Sequence, residues 1–213
     1  MNPTKLDHVA FWVADRDAIA EFATANLGMH VIERTDAFTL VGADARKGKL
    51  TLFAAEGPRE RGALKHVGWR VPEIRGEREL ELADGVRIVL VEGDDYDLDH
   101  VALFSRDPEA TASEYASYGF EAAAPGESGV PRVAVGGAWI EFHAGEPGVP
   151  EKPLLNHIAV LVDSADEHIA AANDLGIEID DIKDAANTYA VFLRGPEGVR
   201  IEYVEHKPTF SLT

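Results

Sequence analysis

The feature that most constrains this chain is a five-residue motif that occurs four times. It reads Leu-x-His-(Val/Ile)-(Ala/Gly), and its histidines are His8, His66, His100 and His157. Each motif opens a short apolar run, such as the run at 157–162, and runs of this kind are typical of β-strands. A motif that recurs along the whole chain predicts a fold assembled from similar units.

The segment on the C-terminal side of the motif recurs as well. After the third motif, Asp107 and Pro108 start a predicted helix, because aspartate caps a helix N-terminus and proline fits the first helical position. Gly119 ends that helix, since glycine readily adopts the left-handed conformation found there. Segments 15–28 and 164–176 repeat the layout. Three short strands come next in each full unit, which is therefore predicted to be β-α-β-β-β.

The order of the units predicts an α+β fold with two sequence halves. Residues 1–93 contain one full unit and one truncated unit, 64–92, which is too short to include a helix. Residues 97–213 contain two βαβββ modules. The run Gly93-Asp94-Asp95 is the predicted boundary between the halves.

Composition and charge exclude several classes of function. The chain has no cysteine, so disulfides and thiolate metal sites are excluded, and a metal would need His, Asp or Glu ligands. Acidic residues outnumber basic residues by 38 to 20, which gives a formal net charge of −18. We expect no binding to nucleic acid or anionic membranes, because both depend on neutralising phosphate. No apolar run has the length of a membrane span and no signal peptide is recognisable, so we expect a cytoplasmic protein.

Paired βαβββ modules with histidine on the first strand resemble the vicinal oxygen chelate superfamily. This superfamily includes glyoxalases, epimerases, bleomycin-resistance proteins and extradiol dioxygenases. The stretch 191–203 is most similar to the signature of extradiol (catechol 2,3-) dioxygenases, in which a Pro-x-Gly turn, here 196–198, leads into a strand bearing a carboxylate ligand, here Glu202. The resemblance implies cup-shaped mixed sheets, each closed by two modules, with a metal on the floor of the cup.

The resemblance also implies a ligand set in the C-terminal half. His100, His157 and Glu202 would form a triad of two histidines and one carboxylate, which leaves open coordination positions and suits Fe(II). Mn(II), Zn(II) and Ni(II) are the alternative metals. His8 and His66 are predicted to be structural, because the residues that match Glu202 in their modules, near 51 and 89, are not carboxylates.

The strand at 139–143 separates two predicted reactions. Trp139, Glu141 and His143 alternate onto one face of this strand, which should be the interior of the cup. In extradiol dioxygenases a histidine matching His143 is the acid–base residue, which implies oxygen-dependent cleavage of a catechol-type ring. If Glu141 is instead a fourth ligand, the set resembles that of glyoxalases and epimerases, which implies a lyase or isomerase reaction.

A third hypothesis is a non-catalytic binding protein of bleomycin-resistance type. It is motivated by two departures from the extradiol pattern, Phe192 in place of a tyrosine and Lys183 in place of a histidine. Phe192, Lys183 and Trp139 are the predicted substrate-binding residues. The expected partner is a small molecule with catechol-like or other adjacent oxygen atoms, and the family resemblance implies a homodimer.

Overall fold

The computed structural model describes residues 1–76, 78–126 and 129–213. The first module contains β1 (Lys5–Val13), α1 (Arg16–Asn26), β2 (His30–Arg34), β3 (Phe38–Asp44) and β4 (Lys47–Ala54). The second contains β5 (Leu64–Val71), β6 (Glu79–Glu81) and β7 (Arg87–Glu92). The third contains β8 (Asp97–Ser105), α2 (Pro108–Ser117), β9 (Glu121–Ala122), β10 (Arg132–Val135) and β11 (Ala138–Ala144). The fourth contains β12 (Leu155–Leu161), α3 (Ala165–Leu175), β13 (Ile179–Asp184), β14 (Thr188–Arg194) and β15 (Arg200–His206).

The predicted α+β fold is confirmed, and the helix boundaries agree with the capping residues. The side chains of Asp15, Asp107 and Ser164 each accept a hydrogen bond from a backbone N–H in the first helical turn. Pro108 is the first residue of α2, and Gly176 ends α3 with a left-handed backbone at φ 67°. No α-helix occurs in the described residues of the second module, as its length predicted.

The modules pair in an order that crosses the predicted halves. The outer-module sheet joins the first and fourth modules in the strand order β13-β14-β15-β12-β1-β4-β3-β2. The inner-module sheet joins the second and third modules in the order β6-β7-β5-β8-β11-β10-β9. The division between 1–93 and 97–213 therefore separates modules along the chain, while each cup-like sheet takes one module from each half.

The strand register is the same in all four modules. The last residue of each Leu-x-His motif lies opposite one residue of the module's last strand: Ala10 opposite Thr51, Gly68 opposite Val89, Ala102 opposite Glu141, and Ala159 opposite Glu202. The prediction that Thr51 and Val89 match Glu202 is therefore confirmed. The register also makes Glu141 the equivalent of Glu202 on the other sheet.

Contacts between the two sheets hold them in a shared core. The buried Trp69 of the inner-module sheet donates its indole N–H to the carbonyl of Leu27, at the end of α1, over 2.9 Å. In the other direction, the Tyr203 hydroxyl of the outer-module sheet donates to the carbonyl of Tyr118, at the end of α2, over 2.6 Å. Hydrogen-bonded aromatic side chains thus join each sheet to a helix of the other. None of the helices within the described residues has the length and apolar character needed to cross a membrane.

Two turns make a second, reciprocal connection between the sheets. Asp84, in a turn of the second module, accepts hydrogen bonds from the backbone N–H groups of Ala14 and Asp15, both at 2.9 Å. Glu197, in a turn of the fourth module, accepts from the N–H of Arg106 at 3.0 Å. Both acidic residues have positive φ, 57° and 54°, which is uncommon for residues other than glycine. Asp84 of the inner-module half therefore caps the backbone just after β1, and Glu197 of the outer-module half caps it just after β8.

Candidate metal centre

Three potential metal ligands converge on the floor of the outer-module sheet. His8 on β1, His157 on β12 and Glu202 on β15 form this group, which we call the outer cluster. The Nε2 atoms of the two histidines are 3.0 Å apart. Glu202 Oε2 lies 3.2 Å from Nε2 of His8 and 3.0 Å from Nε2 of His157. One nitrogen from each ring and one carboxylate oxygen therefore face a single point.

The other nitrogen of each ring is held by the residue before it. Nδ1 of His8 lies 2.8 Å from the Asp7 carboxylate, and Nδ1 of His157 lies 2.8 Å from the Asn156 side-chain oxygen. Both partners accept hydrogen bonds, so each ring donates through Nδ1 and directs Nε2 at the cluster. Among the described residues, Glu202 Oε2 is buried without a hydrogen-bond donor. Two ring nitrogens and a carboxylate oxygen that face one another fit a cation, and ligating histidines are commonly oriented in this way.

The electrostatics of the outer cluster favour positive charge. Burial opposes protonation of His8, but the adjacent carboxylates of Asp7 and Glu202 outweigh it and raise the pKa of His8 to about 9. Burial alone would raise the pKa of Glu202, whereas His157 and His8 hold that pKa well below its ordinary value. Burial lowers the pKa of His157 despite the opposing carboxylate. Glu202 is therefore an anion at neutral pH, and the cluster accommodates a cation beside it.

A buried network of charged side chains lies behind His8. Asp7, which is 1 % exposed, accepts from the Lys49 ammonium at 3.0 Å and 2.8 Å through its two oxygens. His206, at the end of β15, places Nε2 3.1 Å from the same carboxylate. Burial opposes ionisation of Asp7, but Lys49 and the two histidines hold its pKa well below the ordinary value. Asp7 is thus a charged hydrogen-bond acceptor that fixes the ring of His8.

The outer cluster lies in a cavity of about 560 Å³. Aromatic side chains make up part of its wall: Trp12, Phe38, Phe53, Phe192 and Phe210. The ring of Phe192 lies edge-on to that of His157, with centroids 5.2 Å apart, and the Arg200 guanidinium stacks on Phe192 at 3.9 Å. This volume falls within the range of small-molecule sites, and the wall combines aromatic side chains with polar and charged groups such as Glu33, Lys183 and Asn187.

Only two members of the predicted triad come together. His157 and Glu202 are neighbours, but His100 lies on β8 of the inner-module sheet. His8, which we expected to be structural, takes the third position. The reason is module pairing, because the fourth module joins the first rather than the third. The Leu-x-His motif already marked His8 as a candidate ligand. The prediction wrongly paired the fourth module with the third, and therefore chose His100 instead of His8.

The predicted residues of β11 also lie away from the outer cluster. Glu141, His143 and Trp139 belong to the inner-module sheet, so Glu141 cannot complete a set with Glu202. His143 contacts Lys65 Nζ through Nδ1 at 3.0 Å, and Trp139 stacks on Arg132. The other predicted substrate residues, Phe192 and Lys183, do line the cavity, with Lys183 paired to Asp181 at 2.9 Å.

A similar group of residues lies on the inner-module sheet. His66 on β5, His100 on β8 and Glu141 on β11 form this inner cluster. The two Nε2 atoms are 3.0 Å apart, and Nδ1 of His100 lies 2.7 Å from the Asp99 carboxylate. Glu141 Oε2 lies 3.4 Å from Nε2 of His143. Burial, His100, Lys65 and His143 lower the pKa of His66 to about 3, so its ring is neutral.

Comparisons with known proteins agree with this architecture. Residues 5–94 match the model of the family described as "Glyoxalase/Bleomycin resistance protein/Dioxygenase superfamily". A "putative dioxygenase" from Bacillus subtilis subsp. subtilis str. 168 has a TM-score of 0.77 at 16% identity, covering 98% of this chain and 87% of that chain. Glyoxalase I from Zea mays has a TM-score of 0.73 at 15% identity, covering 94% of this chain and 92% of that chain. The chain has the glyoxalase-like fold.

Likeness at such low identity shows the fold of this chain and leaves the reaction open. The family model covers residues 5–94, less than half of the chain. No curated protein matches the sequence. Within this glyoxalase-like fold, the described residues include one His-His-Glu group, the outer cluster, whose ligand atoms already lie close enough to hold a metal ion.

Proposed function

We propose that the outer cluster binds one divalent metal, with Fe(II) preferred, and that the protein cleaves a catechol-type ring next to its two hydroxyl groups. The observation that carries the proposal is the number of ligands. Two histidines and Glu202 converge, and the remaining position in the register is Thr51 rather than a second carboxylate. A set of two histidines and one carboxylate with open positions is typical of Fe(II) oxygenases. A bound Fe(II) would supply coordination positions for the substrate oxygens and for O₂.

The residues present fit such a metal. Their Nε2 and Oε2 atoms can each supply a lone pair once His8 gives up its proton, and Glu202 Oε2 is buried without a donor in the described part of the chain. Asp7 and Asn156 orient the two rings through Nδ1. A bound metal would displace the proton of His8, and with two neutral imidazoles and one carboxylate a divalent ion would keep residual positive charge, which favours an anionic substrate oxygen.

The cavity wall supports a flat aromatic substrate. Phe53 and Phe192 both lie beside His157, with ring centroids 6.2 Å and 5.2 Å from the imidazole. Aromatic walls favour planar ligands, because edge-to-face and stacked contacts add to the burial of apolar area. These side chains would exclude water from the site and orient the ring so that its two oxygen atoms face the outer cluster.

The position of Glu141 does not support the glyoxalase- and epimerase-type alternative. It depended on Glu141 as a fourth ligand beside Glu202, and Glu141 lies on β11 of the inner-module sheet. The binding-protein alternative retains Phe192 and Lys183, which line the cavity without the hydroxyl and imidazole of the extradiol pattern. A turnover measurement separates both alternatives from ring cleavage.

Oxygen uptake tests the proposal directly. The protein is loaded anaerobically with Fe(II), freed of excess metal, and offered a panel of catechols. We expect uptake that requires both iron and catechol, with a ring-opened product, and its loss in Glu202→Gln. Glu121→Gln, the same change at an exposed strand position, is the matched control and should retain uptake.

Two results would overturn the proposal at different levels. Stoichiometric iron without oxygen uptake would reject ring cleavage and leave the metal site standing. An equal metal content in the wild-type protein, His157→Ala and Glu202→Gln would reject the outer cluster as the metal site.

A further inference from the structure

The inner-module sheet has its own convergence of imidazoles, which the proposed reaction does not use. We propose that the inner cluster of His66, His100 and Glu141 is a second, weaker binding site for a divalent transition metal. The site would be separate from the outer cluster, because its three residues lie on β5, β8 and β11.

The first argument is the geometry of the histidine pair. In both clusters the two Nε2 atoms are 3.0 Å apart. The ring centroids are 5.1 Å apart with an interplanar angle of 78° for His66 and His100, compared with 5.2 Å and 75° for His8 and His157. The inner pair therefore presents two nitrogen atoms to one point in nearly the arrangement of the outer pair.

The second argument is the environment that orients His100. Asp99 accepts from Nδ1 at 2.7 Å, and Arg70 lies 3.4 Å from the other oxygen of Asp99. The outer cluster has the same arrangement: Asp7 accepts from Nδ1 of His8, and Lys49 contacts the Asp7 carboxylate. Gly68 lies directly beneath the ring, since a Cβ at this position would come within 2.2 Å of Nδ1 of His100. The backbone thus leaves space for the ring to hold this orientation, with Nε2 directed at His66.

The third argument is the position of the carboxylate. Glu141 lies opposite Ala102 in the register in which Glu202 lies opposite Ala159. Its side chain contacts His143 at 3.4 Å, a long distance for a hydrogen bond. A metal at this site would require the Glu141 side chain to turn from His143 towards the histidine pair. Because this rotation gives up the contact with His143, we expect affinity roughly 10–100-fold below that of the outer cluster, the range measured when a supporting contact of a metal site is lost.

The donor set indicates which metals to use as probes. Two imidazoles and one carboxylate bind Zn²⁺, Ni²⁺ and Cu²⁺ well, and Mg²⁺ and Ca²⁺ prefer oxygen ligands. Ni²⁺ and Zn²⁺ are therefore suitable probes, and Mg²⁺ is the negative control.

The test is metal stoichiometry on the whole chain. Protein stripped by a chelator is titrated with Ni²⁺ by calorimetry and, after saturation and buffer exchange, its metal content is measured by mass spectrometry. We expect two ions per wild-type chain, the second of them weaker. His66→Ala and His8→Ala should each retain one ion, and the double variant should bind almost none. His30→Ala removes an exposed histidine and should change nothing.

Several outcomes would overturn the inference. One ion per wild-type chain with an unchanged value in His66→Ala would exclude the inner site. A fall in stoichiometry in His30→Ala would mean that surface histidines bind the probe. Circular dichroism of the metal-free variants excludes misfolding as the cause, and Glu141→Gln gives a second, milder test because it keeps the shape of the side chain. If His66→Ala abolished the tighter site, the inner site would stand and the proposed function would be wrong.

Discussion

The two clusters use the same histidine motif and the same register, but their carboxylates contact different partners. Glu202 lies against the two Nε2 atoms of the outer cluster, whereas Glu141 contacts His143. Two residues further along each strand, on the same face, the outer-module sheet has Val204 and the inner-module sheet has His143. A valine offers no hydrogen bond, and an imidazole does. We attribute the different contacts of the two glutamates to this neighbouring residue.

The largest expected effect separates the two glutamates. Glu202→Gln removes the anion from the outer cluster and should lower the affinity of the tighter metal site by about 100-fold or more, a larger loss than supporting residues cause. Glu141→Gln should leave that affinity unchanged, because Glu141 lies on the other sheet. Calorimetric titration of both variants with Ni²⁺ measures the difference. Equal losses in the two variants would contradict the assignment.

A second variant tests the position that distinguishes three ligands from four. Thr51→Glu introduces a carboxylate opposite Ala10, the register position that Glu202 occupies in the fourth module. We expect the metal to be retained and oxygen uptake with catechol to be lost, because a fourth ligand fills a coordination position that the substrate or O₂ needs. Thr51→Val, which adds no ligand, is the control and should retain the metal. Full oxygen uptake in Thr51→Glu would show that this position does not face the metal.

The charged pairs behind the clusters differ in burial, and this predicts a difference in stability. The side chains of Lys49 and Asp7 are 5% and 1% exposed, compared with 25% and 17% for Arg70 and Asp99. Lys49→Met removes the ammonium partner of a buried carboxylate and should cost about 3–5 kcal/mol in the free energy of unfolding. Arg70→Met should cost about 1 kcal/mol or less, since solvent screens the more exposed pair. Urea unfolding of both metal-free variants measures the two losses in the free energy of unfolding. Similar losses would contradict the predicted difference between the buried and the exposed pair.

The smallest expected effect is a gain in metal affinity at the inner cluster, from a substitution that makes it resemble the outer cluster. His143→Val introduces the residue found at the matching position of the outer-module sheet, Val204. It also removes the imidazole that competes for the Glu141 carboxylate. The affinity of the inner site should then rise by about tenfold, the lower end of the range for a changed supporting contact. Calorimetry in the His8→Ala background isolates the inner site. A lower affinity in this variant would mean that His143 itself contributes to metal binding.

Much of the architecture was predictable because its causes are local. The Leu-x-His motifs predicted the first strands, and the capping side chains of Asp15, Asp107 and Ser164 predicted the helix starts, since a cap acts on the turn beside it. Strand alternation and the turn before Glu202 predicted that this carboxylate faces the cup. His157 and Glu202 were paired correctly, because both belong to one module and their register depends on that module alone.

The sequence by itself determined the modules, their elements and the face on which each histidine lies. Only the tertiary structure decided which modules share a sheet. That choice depends on how apolar faces far apart in the chain pack together, and the motif around His8 has the same pattern as the motif around His100. Pairing of the fourth module with the first brought His8 to Glu202, and pairing of the second with the third brought His66 to His100. A metal site built across a module interface therefore becomes visible only when the long-range strand pairing is known.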